Sequence, residues 1–80
     1  MKALKKEALG RYTFKRFNVT QYKITTQENE IFYTLTIIDR KYNFLVCDNK
    51  FTTKQEMETS ENEYINNYDS HKKYIDNLYN

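Results

Sequence analysis

The chain predicts an α+β domain: a small antiparallel sheet of three or four strands, within about residues 11–47, covered by one C-terminal amphipathic helix over about 61–79. Two observations carry this. Between residues 11 and 47, apolar residues tend to alternate with polar ones at the period of two that strands show. From residue 64 they recur at Tyr64, Tyr68, His71, Ile75 and Leu78, at spacings of 4, 3, 4 and 3 that draw one stripe along a helix. One helix laid on a small sheet is a stable two-layer solution. Eighty residues fit one domain, 1–80.

Residues 2–9 are expected to form a short N-terminal helix of two turns, closed by Gly10 in the left-handed conformation. So short a helix is stable only when docked. Residues 11–26 are rich in Tyr, Phe, Val, Thr and Ile, but their alternation slips. Tyr12 and Phe14 share one face, Phe17 and Val19 take the other, and Tyr22 and Ile24 return to the first. A hairpin turning near Asn18 and one long strand bulged at Arg16–Phe17 both satisfy that slip.

Thr26 to Glu30 is polar and reads as a connection. Residues 31–38 place apolar side chains on both faces, as a central strand does. Asp39, Arg40 and Lys41 turn the chain, and residues 42–47 return as a further strand. In the C-terminal third, Thr53 with Glu56 and Ser60 with Glu63 both match the capping box, in which hydroxyl and carboxylate satisfy orphan amide groups. Glu61 and Glu63 near the helix start, and Lys72 and Lys73 toward its end, suit the macrodipole.

Composition restricts function. The lone Cys47 cannot form an intramolecular disulfide, and the lone His71 leaves a zinc site short of its preferred ligands. A chain this short buries only about 60% of its unfolded surface. Eight Tyr and five Phe supply apolar area in compensation, but self-association or a tight partner is expected. Nucleophilic catalysis needs a base oriented on a Ser or Cys, and His71 lies on the apolar stripe of the helix. Phosphate-cradling loops need glycines, and Gly10 stands alone. No enzyme activity, cofactor or metal is expected.

The start MKALKKEALG lacks the apolar run of a secretory signal. No stretch approaches the roughly 20 apolar residues of a membrane span. With a free thiol besides, the cytoplasm is the expected location, without a membrane partner. Abundant Lys, Asn, Ile, Tyr and Phe, with Pro and Trp absent, match the codon usage of an AT-rich bacterial or bacteriophage genome.

Charge is sorted along the chain. Residues 1–23 hold seven Lys/Arg against one acid, residues 24–55 balance at four each, and residues 56–80 hold two cations against six acids. Segregated charge is a statement about partners. Three classes fit. The first is a phage or mobile-element protein that occupies a host protein surface, with a nuclease or other DNA-handling protein as one candidate target. It would act through an acidic, Tyr-rich helix, with Glu58, Glu61, Glu63 and Tyr74 as contact residues. The second is a nucleic-acid-binding accessory protein using Arg11, Lys15, Arg16 and Lys23, with Lys2, Lys5 and Lys6 extending the cationic strip and rings beside it stacking bases. The third is an assembly subunit, a homo-oligomer that pairs the basic end of one copy with the acidic end of the next.

Overall fold

The computed structural model describes residues 3–80. Four strands, β1 (Ala3–Phe14), β2 (Phe17–Thr26), β3 (Ile31–Asp39) and β4 (Phe44–Phe51), form one antiparallel sheet in the order β1-β2-β3-β4. Two helices follow, α1 (Lys54–Asn66) and α2 (Tyr68–Tyr79). The fold is α+β, a four-stranded meander with a helical layer on one face.

The N-terminal helix expected over residues 2–9 is not formed. From Ala3 onward the chain is strand, paired through Lys6 with Ile24, Ala8 with Tyr22 and Gly10 with Gln21; Lys2 lies outside the described residues. An eight-residue helix with four apolar side chains, two of them alanines, cannot recover its nucleation cost. The ladder to β2 gives the same backbone hydrogen-bond partners along its length. Gly10 is accordingly not left-handed. Its missing side chain makes room instead, because a Cβ there would lie 2.9 Å from Gln21 Oε1.

The slip between residues 11 and 26 is a hairpin. It turns at Lys15–Arg16, two residues before the expected turn at Asn18. Lys15 takes the positive φ of 53° that so tight a turn requires. Phe14 and Phe17 close the turn as cross-strand partners, which brings Phe14, Phe17 and Val19 onto one face. That face carries Leu35 and Ile37 from β3 and Cys47 from β4. Met57, Tyr68 and Ile75 of the helices close over it. Tyr68 meets the rings of Phe14 and Phe17 edge-on, with centroids 5.5 and 4.7 Å apart.

The helix begins seven residues before the expected position 61, at the first of the two capping boxes. Thr53 Oγ1 accepts from Glu56 N at 3.1 Å and donates to Glu56 Oε1 at 3.0 Å. Ser60 and Glu63, the second match, therefore fall inside α1. At Asn67 the helix is interrupted. The Asn67 side chain donates from Nδ2 to the Glu63 carbonyl at 2.8 Å and so enters the backbone ladder. His71 N still donates to Asn67 O at 3.1 Å, so α2 continues nearly the same stripe. Among the described residues, no helix is long and apolar enough to cross a membrane.

Candidate functional site

Two buried polar clusters fix how the helices sit on the sheet. The first centres on Arg16, whose side chain is 14% exposed although it belongs to a turn. Its Nε donates to Asp39 Oδ2 at 2.8 Å, its Nη2 is ion-paired with the same oxygen at 2.7 Å, and Nη2 donates to Asp76 Oδ1 of α2 at 2.7 Å. Asp39 is fully buried, and its other oxygen accepts from Lys41 N at 2.8 Å. The Arg16 guanidinium holds the Asp76 carboxyl below its ordinary pKa, with Lys72 adding to the effect.

The second cluster centres on Glu61, which α1 turns into the sheet at 8% exposure. Its carboxylate accepts from the Tyr12 hydroxyl of β1 and from Gln21 Nε2 of β2. Burial, and then the Glu61 carboxylate itself, push the Tyr12 phenol upward, so it stays a donor. Tyr12 keeps an exposed ring edge, at 40%, while its hydroxyl is committed to Glu61.

Because Glu61 points at β1 and β2, the opposite flank of α1 faces β4. There a shallow groove runs along the helix from Phe51, the last residue of β4. Two depressions of about 410 and 270 Å³ share Ser60 and Glu63 and follow one another along the helix. Phe51 and Tyr64 form its apolar side, and His71 stacks on Tyr64 with ring centroids 4.9 Å apart. Glu56 and Glu63 supply anions, and the described lining residues include no Lys or Arg. Hydroxyl donation from Thr52 and Thr53 holds the Glu56 carboxyl below its ordinary pKa, so this charge persists into mild acid.

Along the same flank, helical spacing carries Glu63 on to Asn67, His71, Tyr74 and Leu78. Tyr74 is 61% exposed and Leu78 53%. β4 is an edge strand, with no neighbour on its outer side among the described residues. Cys47 of β4 is buried, and its Sγ donates to the Leu35 carbonyl at 3.7 Å. Burial raises its thiol pKa and keeps it protonated, the opposite of an activated nucleophile. Among the described residues, no three His, Cys, Asp or Glu side chains converge on a metal position.

The residues singled out from sequence are redistributed. Glu63 and Tyr74 share the groove flank, Glu58 is exposed on the far flank, and Glu61 is inside the fold. The four cations expected to form one nucleic-acid patch do not meet. Arg11 lies on the open face of the sheet, where its Nη2 donates to the Tyr22 hydroxyl at 2.9 Å. Lys15 caps the turn, its Nζ 4.9 Å from the Tyr68 ring centroid. Arg16 is committed to Asp39 and Asp76, and Lys23 lies opposite Tyr33 on the helix-side face. Lys5 pairs with Glu7 at 3.6 Å.

One signal would have placed Glu61 correctly. It stands four residues after Met57 and three before Tyr64, on the same stripe that continues through Tyr68 and Ile75. Comparison of the chain with protein-family models, with curated proteins and with solved structures found no match.

Proposed function

We propose that this protein is a small non-catalytic binding protein that occupies the surface of another protein, and that its groove takes a cationic extended segment of that partner. One observation carries the reading: a channel with Phe51 and Tyr64 on its apolar side and Glu56 and Glu63 in its described lining, which includes no Lys or Arg, begins at the end of the edge strand β4. An extended segment can add to a sheet edge through main-chain hydrogen bonds, while pockets beside the edge select its side chains. Lys or Arg of the segment would meet Glu56 and Glu63, and an apolar residue would pack on Tyr74 and Leu78. Exposed Tyr of this kind is enriched at binding hot spots.

Cationic segments are typical of proteins that handle nucleic acid. Covering one would block its use, which is the form inhibition would take. The amino-acid composition, rich in Lys, Asn, Ile, Tyr and Phe and without Pro or Trp, fits a phage or mobile-element origin, with the host cell cytoplasm as the place of action.

Charge removal by Glu56→Gln, whose amide oxygen can still accept from the Thr52 and Thr53 hydroxyls, combined with charge reversal by Glu63→Lys, tests this by calorimetry against extended Lys/Arg-containing peptides. Loss of at least tenfold in affinity is expected, with the circular dichroism unchanged, since both side chains are exposed. Equal affinity of the substituted and native proteins refutes the groove.

A further inference from the structure

The sheet face turned away from the helices carries a second, chemically different surface. Register places Thr20, Tyr22 and Ile24 of β2 opposite Thr36, Thr34 and Phe32 of β3. Arg11, Ala8 and Lys6 flank them from β1, and Asp48 and Lys50 from β4. Lys6 Nζ lies 4.2 Å from the Tyr22 ring centroid, and Lys50 Nζ 4.8 Å from that of Phe32. Ile24, between the two rings, is only 7% exposed although no helix covers it. Asp48 is the one acid among these residues, and it accepts from Thr36 Oγ1 at 3.3 Å. A depression of about 400 Å³ opens beside Arg11, Thr20 and Thr36.

Two rings, each with a cation at its face, and a third cation on the hydroxyl of one of them, thus stand on rigid neighbouring strands. Tyr22 and Phe32 are diagonal neighbours, about 7–8 Å apart, a separation that seats two bases side by side. We infer that this face binds single-stranded nucleic acid, with bases stacked on Tyr22 and Phe32 and phosphates held by Lys6, Arg11 and Lys50. The lysines now resting on the rings are long and exposed. An exposed cation–π contact is weaker than base–aromatic stacking, so each lysine can swing from ring to phosphate as a base arrives. A duplex keeps its bases stacked inward and offers the rings nothing. An acidic peptide would satisfy the cations but leave both rings without a stacking partner. The inference does not rest on the groove, which lies on the other layer.

Fluorescence anisotropy of a labelled oligothymidylate of about 20 nucleotides, a length that spans site sizes of about 4–16, tests it on the full chain. Three phosphate contacts to a single strand predict a slope of log K against log salt of about −2. Arg11→Gln, at an exposed position, should reduce that slope by about 0.7. Tyr22→Ala should weaken binding by roughly 5- to 150-fold, the range measured for loss of one stacked base. Tyr22→Leu, which keeps apolar bulk beside Ile24, separates loss of stacking from loss of fold and should also weaken binding. A duplex of the same length should bind more weakly than the single strand. No binding at low ionic strength overturns the inference. So does binding that survives both Tyr22 substitutions, or a salt slope that Arg11→Gln leaves unchanged.

Discussion

Arg16 lies in a surface turn, yet its guanidinium joins three parts of the molecule: the β1–β2 turn, the end of β3 at Asp39, and α2 at Asp76. Replacing it by Met keeps the length and the apolar stem but removes every donor. Asp76 retains Lys72, at 3.4 Å, and solvent. Asp39 does not: it is 0% exposed, and it would keep only the Lys41 amide for a full negative charge. Removing one partner of a buried ion pair costs about 3–5 kcal/mol, because the remaining charge is uncompensated. A chain of this length has a total stability of about 4–12 kcal/mol, so Arg16→Met should consume a large part of it. Urea unfolding followed by far-UV circular dichroism reads the loss as a lower midpoint with unchanged slope. Adding Asp39→Asn removes the orphan charge and should restore a substantial part of the loss, as a double-mutant cycle measures. A loss under about 1 kcal/mol, against the 3–5 expected for a broken buried pair, would refute the reasoning. Equal instability of the single and double variants would do the same.

Three further outcomes follow from the polar clusters. Glu61→Ala strands the Tyr12 hydroxyl and the Gln21 amide and should cost about 2–3 kcal/mol, while Glu61→Gln, which can still accept and donate there, should cost under about 1; chemical denaturation compares them, and equal costs would contradict the assigned bonds. In an alkaline absorbance titration, one tyrosine should ionise later in the native protein than in Glu61→Gln. Its raised folded pKa means that this stabilisation is present below about pH 10 and fades as pH rises further. Asp76 has the opposite sign: its lowered pKa stabilises the fold above about pH 4 and is lost as pH falls through the folded value. Asp76→Asn should flatten the acid limb of a stability–pH curve, and an unchanged limb would disprove the Arg16–Asp76 linkage.

Local patterns foretold most of the architecture. The stripe at Tyr64, Tyr68, His71 and Ile75 reports a helix because its period is intrinsic to the chain. The capping box at Thr53–Glu56 is equally local, since every group involved lies within four residues, but a second match at Ser60–Glu63 leaves the start expected near 61 rather than at Lys54. The N-terminal segment misled because its helical signal is weak and its strand signal lives in β2: residues 3–10 are extended only where residues 21–26 offer a ladder. The break at Asn67, where φ is −105° and ψ 26° and both the amide and the side chain donate to the Glu63 carbonyl, is one that no periodicity reveals.

The functional surfaces divide along the same line. Sorted charge along the sequence correctly marks an acidic helical region and a basic strand region, because charge is a property of composition. Which charges reach solvent is a property of packing. Arg16 and Glu61, chosen from sequence as contact residues, are instead the polar struts between the layers, since the hairpin turn directs one inward and the helical stripe the other. Lys50 and Phe32, with no conspicuous sequence context, join Lys6, Arg11 and Tyr22 only through cross-strand register. By itself the sequence determined the two-layer fold class and the sign of charge in each region, because these rest on interactions a few residues apart. Only the tertiary structure decided which residues share a surface, because strand register and helix docking are set by contacts between segments far apart in the chain.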